Sequence, residues 1–214
     1  TDEEWALRKA NRDYFYYSED LCDYAGGYVD GKVVDKQFLL DAAERGNEST
    51  RAAFSDAVII YSRIPELGSI LQRIPVYPEH DQRRRIAAFY SQVLLQSQFF
   101  IPEAEKRKDP FLLAHAAASS VLFGGRLILA CNKMLFRSFK WLLSDVAEAP
   151  DKPADFLQVA ERLLKEPSAE TARAFCACIS NHRDWGVTME QAVSWFIEDN
   201  EWNWREGKLS VQDW

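Results

Sequence analysis

The sequence predicts a mainly α protein, a helical bundle preceded by a small α/β segment, and three observations carry that expectation. Apolar residues recur at helical spacing beyond residue 62, as in Leu67, Ile70, Leu71 and Ile74. Only 9 Gly and 8 Pro interrupt 214 residues, which leaves room for long helices. Strand signals, by contrast, are confined to the first 62 residues. We therefore divide the chain into a small α/β segment, 1–62, and a helical bundle domain, 63–214. With 47% hydrophobic and 28% charged residues, the composition supplies enough apolar surface for a folded core.

Taken in order, Thr1 and Glu4 have the form of a capping box, so a helix should run to about Arg12. The aromatic stretch 13–18 (DYFYYS) reads as a short strand, and residues 19–25 as a helix closed by Gly26 and Gly27. Asp30-Gly31 between Tyr28-Val29 and Val33-Val34 is a hairpin-turn signal, because both turn residues need positive φ. Asp35 is then placed to cap a helix ending at Gly46. After a helix from about Thr50, the β-branched run from Ala57 to Tyr61 reads as a short buried strand.

The bundle follows. Past the Pro75–Pro78 loop, Ile86, Phe89, Tyr90, Val93 and Leu94 give a long helix from about Glu79 to Phe100, which Pro102 kinks or restarts. Asp109-Pro110 is a cap with proline at the first helical position, and an apolar helix should run from there to about Phe136. Further helices are expected near 153–165, 168–181 and 188–199, the last opened by Thr188 with Gln191 three residues on.

Charge narrows the function. A formal net charge of -7 argues against a nucleic-acid partner, which needs a basic surface to displace phosphate counterions. Arg83, Arg84 and Arg85, like Lys106, Arg107 and Lys108, are flanked by carboxylates and read as solvated helix faces. The 4 cysteines have neither zinc nor disulfide-framework spacing, and the 3 histidines are scattered, so a reduced, cytoplasmic setting without a resident metal is expected. From Phe111 to Cys131 the only ionisable residues are His115 and Arg126, a stretch long enough for a bilayer. Ser119, Ser120, Gly124 and Gly125 make it read as a buried central helix, so no membrane partner is expected.

Ser119, Arg126, Lys133 and Lys140 stand seven apart, nearly two helical turns, so a helix continuing past Phe136 would carry them as one polar stripe. Buried cations need carboxylates, water or an anionic ligand. The stripe is therefore either the solvent-facing edge of a core helix or a wall against a phosphate-bearing ligand.

The stretch from Gly125 to Leu143 (GRLILACNKMLFRSFKWLL) resembles the helical-domain signature of nucleotidyltransferase-like proteins, in which an apolar helix ends in Asn plus a basic residue and Lys-Trp follows. Ala57–Tyr61, Leu71 and Tyr77-Pro78-Glu79 are similar to that family's strand, short helix and tyrosine-proline loop, and Arg107-Lys108-Asp109 to the charged segment before its central helix. The likeness covers roughly residues 55–145. It implies transfer of a nucleoside monophosphate from a Mg²⁺-bound nucleotide to a hydroxyl on a small-molecule or protein acceptor. Arg126, Lys133 and Lys140 would then hold phosphates, Asn132 would hydrogen-bond the ligand, and Trp141 would pack beneath the site.

The family's Gly-Ser turn and Asp-x-Asp pair, which hold Mg²⁺, are missing: the one Gly-Ser is Gly68-Ser69, inside a predicted helix. The catalytic half would therefore lie upstream of Thr1, a start without initiator Met that reads as internal or processed, with Asp30 or Asp35 as a third carboxylate. By their own surroundings these two read as a turn residue and a helix cap. The alternative is a non-catalytic helical interaction module, with Trp202, Trp204 and Trp214 in a tail suited to docking on its own bundle or to self-association. His115 reads as a core or interface histidine and His182 as part of a helix end.

Overall fold

The computed structural model describes residues 2–209, 211 and 214, and within them the chain is mainly α with one two-stranded sheet. Helix α1 spans Asp2–Asn11; the proposed Thr1 cap lies outside the described residues. Strands β1 (Phe15–Ser18) and β2 (Val29–Lys32) pair antiparallel, with Tyr17 opposite Asp30 and Tyr16 opposite Gly31. Asp30-Gly31 is therefore strand and not turn, correcting the sequence expectation. The connection 19–28 makes the reversal instead, with Gly26 at φ +75 and no helix over 19–25.

Helices α2 (Lys36–Arg45), α3 (Glu48–Ala52) and α4 (Leu67–Arg73) follow. Asp35 caps α2 as expected, accepting from Phe38 N at 2.7 Å. Arg51 of α3 donates to Ala43 O, Glu44 O and Gly46 O at the end of α2, and to Ile74 O and Val76 O just past α4. One cation thus satisfies the open carbonyls at two helix ends, where the macrodipole is negative. Leu39, Ala42, Ile70 and Ile74 form a small apolar core between α2 and α4. That core takes residues from both sides of residue 62.

Ala57–Tyr61 is irregular rather than a buried strand: Val58 and Ile60 are 83% and 98% exposed. A β-branched run becomes a strand only when a neighbour accepts its backbone hydrogen bonds, and among the described residues none does.

The larger core belongs to α5 (Gln82–Leu95), α6 (Ile101–Arg107), α7 (Pro110–Cys131), α8 (Leu142–Glu148), α9 (Phe156–Lys165), α10 (Ala169–Ser180) and α11 (Met189–Phe196). α7 is its axis, packed against α5, α6, α8 and α9. Gly124 and Gly125 sit where a side chain would strike Phe175 and Leu142 at 2.7 Å, so small residues set how closely α10 and α8 approach. A π turn at Gln96–Phe100 joins α5 to α6, ahead of Pro102, whose ring cannot accept the ordinary α register. α7 is long and apolar enough to cross a membrane, and 61% of its most apolar window is buried within the protein.

Sequence capping signals hold across the bundle. Asp109 accepts from Leu112 N, and Thr188 and Gln191 form the reciprocal box that opens α11. A second π turn, Ile197–Glu201, follows α11. Trp214 packs on Phe89 with ring centroids 6.4 Å apart, so that tail residue docks on its own bundle, while Trp202 and Trp204 stay exposed.

Candidate functional site

The polar stripe does not form. α7 stops at Cys131, Asn132 caps it, and Lys133 takes the left-handed conformation at φ +54. Lys140 therefore lies beyond a loop, on the 3₁₀ turn Phe139–Trp141 that leads into α8. A helix end with Asn followed by a left-handed residue is a stop signal, and it overrides the heptad count.

Arg126 is 1% exposed, inside the larger core. Its guanidinium lies 4.6 Å from the ring centres of both Phe89 and Phe136. It donates to Val211 O at 3.5 Å and to Trp214 O, and lies 3.6 Å from the Glu48 carboxylate. Glu48, 2% exposed, also accepts from Arg85 Nη1 and, at 2.8 Å, from Phe136 N. This carboxylate joins α3, α5, α7 and the loop after α7 at one buried point. Two buried guanidinium groups therefore share this one carboxylate. Its carboxylate also helps hold Tyr77 OH far above the ordinary tyrosine range, burial being the larger cause. Arg126 is thus an internal tie, not a solvent-facing phosphate ligand.

The cluster corrects another expectation. Arg85 is buried, not part of a solvated face, and Arg84 reaches Asp199 at 2.7 Å with its guanidinium 4.3 Å from the Trp214 ring centre. These residues, with Arg45, Lys208, Asp81 and Trp214, line a cleft of about 290 Å³. Its cations are all answered: Arg45 by Asp41, Arg84 by Asp199 and Glu198, Arg85 by Glu48, Lys208 by Glu206 and Glu198. An anion entering there would have to displace those carboxylates, so the cleft has little electrostatic appetite for phosphate. The Arg83–Arg85 triplet was the available signal for it, but its flanking acids disguised which arginine turns inward.

Asn132 is also structural. Its amide donates to Ile128 O and Asp151 O, both at 2.8 Å, and accepts from Asp151 N at 3.0 Å. The Asp151 carboxylate in turn meets His182 Nε2 at 2.8 Å and Arg183, and these partners hold it below the usual carboxylate range, His182 first. Lys133 pairs on the surface with Glu79 at 2.9 Å.

Lys140 and Trp141 have a different setting. Both are exposed, and Lys140 Nζ lies 5.4 Å from the Trp141 ring centre. Arg137, bound to Asp145, approaches the same ring at 4.6 Å. Among the described residues no carboxylate lies within ion-pair reach of Lys140. The loop carrying this surface is pinned to α3 through Phe136, whose N–H donates to Glu48 and whose carbonyl accepts from Ser49 Oγ at 3.2 Å. Of the five expected binding residues, only Lys140 and Trp141 are brought together on an open surface.

The carboxylates do not fit a Mg²⁺ site. Asp30 lies in β2 and Asp35 caps α2, and among the described residues no three His, Cys, Asp or Glu side chains converge as metal ligands. No protein-family model matches the chain, and no curated protein matches it.

Proposed function

We propose that this chain is the helical, ligand-holding portion of a cytoplasmic nucleotidyltransferase-like protein, with the catalytic carboxylates contributed by other residues. The observation that supports it best is the Lys140–Trp141 surface: a cation with no acid partner among the described residues, beside an exposed aromatic plane, with Arg137 alongside, on a loop fixed by a buried carboxylate. A polyphosphate needs such positive charge, and a base or sugar face can rest on the indole. The residues Arg126, Asn132 and Lys133, which the resemblance also nominates, act in this reading by shaping the loop rather than by touching ligand. No step through Mg²⁺ is assigned to these residues, since none of them is placed to bind it.

Thermal unfolding of the chain with millimolar ATP, GTP, CTP or UTP and Mg²⁺ tests the reading. A rise in melting temperature with at least one nucleotide is expected, because ligand bound only to the folded state stabilises it. Lys140→Ala should reduce the rise without changing the melting temperature of the free protein. No rise with any of the four would remove the nucleotide reading.

A second reading, a helical interaction module, is favoured by the exposed apolar run from Val58 to Tyr61 beside a groove lined by Phe54, Leu71 and Pro75. It predicts no nucleotide effect. It also predicts that soluble oligomers, seen by light scattering, disappear on Ile60→Ser; the exposed Trp202 and Trp204 offer a second contact for the same association.

A further inference from the structure

A cavity of about 260 Å³ opens between α5 with its π turn, the N-terminal half of α7, and α11 with its own π turn. Two of its lining residues are glutamines deep in the protein, Gln92 at 2% and Gln96 at 7% exposure. They share one hydrogen bond, Gln96 Nε2 to Gln92 Oε1 at 3.3 Å, and neither side chain makes another among the described residues. One polar group of each amide is therefore left for whatever fills the cavity. Those groups open onto the cavity, where a hydrogen-bonding occupant can answer them.

The walls complement those amides. Phe100, Phe123 and Phe196 supply aromatic surface, and Ser119 and the exposed His115 stand on the α7 side. Among the described residues no Asp, Glu, Lys or Arg lines the cavity, which favours an uncharged group inside it. Both π turns contribute: Gln96 and Phe100 bound the first, and Asn200 lies in the second. The first has Pro102 behind it. The second has no such cause, being followed by the sequence Trp202-Asn203-Trp204, and isolated π turns concentrate at functional sites.

We propose that this cavity binds a nucleobase. Paired amides offering a donor and an acceptor are what the edge of a base requires, and phenylalanine walls take its flat face. A charged group would enter without a counter-charge among the described residues. The phosphates or ribose of the ligand would remain outside, past His115. The site shares no residue with the Lys140–Trp141 surface and stands independently of the transferase reading.

Adenosine, guanosine, cytidine and uridine, offered at millimolar concentration to the full chain without Mg²⁺ and followed by saturation-transfer NMR, test it. At least one should bind. Gln96→Leu should weaken that binding about tenfold through the lost amide contact. Ser119→Trp should block it by filling the opening while leaving both amides intact. Helical circular dichroism establishes that each variant folds, and if one does not, the other decides. No transfer to any of the four nucleosides, or binding that survives the substitutions in folded protein, overturns the proposal and leaves a water-filled space. Because nucleosides carry no phosphate, that failure would leave the triphosphate experiment on Lys140 unaffected.

Discussion

Leu127-Ile128-Leu129-Ala130 and Val58-Ile59-Ile60-Tyr61 are equally apolar runs of four, and the fold treats them in opposite ways. The first lies within α7, shut inside the larger core; the second lies on the surface next to the smaller one. Apolarity creates a demand for burial, but burial needs a partner surface, and the two runs differ in what surrounds them. The C-terminal half of α7 is almost wholly buried among its neighbours, and its glycines let them close in. The 58–61 run has a groove and, among the described residues, no strand beside it. Charge follows the same contrast. Arg126 and Lys133, one heptad apart, end with one sealed beside Glu48 and the other on the surface beside Glu79.

The sharpest way to break the comparison is Glu48→Ala. It leaves Arg85 and Arg126 buried without their shared carboxylate and Phe136 N without its acceptor, so a loss of about 3–5 kcal/mol in urea unfolding is expected. A loss under about 1 kcal/mol would mean that the carboxylate does not hold the cluster. Leu127→Ala comes next, at about 2–5 kcal/mol, since the neighbours of a fully enclosed leucine relax only partly around the gap.

Asp199 gives a smaller, pH-dependent effect. Burial lifts its carboxyl above the ordinary value of 3.8, outweighing the opposing pull of Arg84, and its Oδ2 has no hydrogen-bond partner among the described residues. A raised folded-state pKa means that its contribution to stability is fully present below 3.8 and is lost as pH rises through the folded-state value. Asp199→Asn should therefore flatten the fall in stability measured by denaturation across the mildly acid range. An unchanged slope would place that proton uptake elsewhere. Ile60→Ser should change the stability of the monomer least, by no more than about 0.5 kcal/mol, because an already exposed side chain loses no packing. A larger loss would show that the run is covered in solution.

Local chemistry was legible wherever a residue acts on its own neighbours. Asp35, Asp109 and Thr188 cap the helices they were expected to cap, and Phe89, Val93 and Leu94 point inward as their spacing requires. Legibility ended where two local rules competed. The central helix was expected to run on to Phe136 and carry Lys133 as a step in the stripe, but Asn132, hydrogen-bonded to Asp151 19 residues away, ends it. Asp30-Gly31 has the composition of a turn, yet pairing with Tyr16 and Tyr17 draws it into a strand. Of the candidate site, Lys140 and Trp141 were legible because they are adjacent. The glutamine-lined cavity was not, since its walls come from three helices that only packing assembles.

The sequence by itself determined the helical class, the positions of most helices and their caps, because these depend on spacing and on contacts within a few residues. Tertiary structure alone decided which charges are enclosed. The Glu48 carboxylate meets an arginine 37 residues away and a backbone N–H 88 residues away. No local pattern encodes those meetings, because the free energy of a charge depends on what the folded chain places around it.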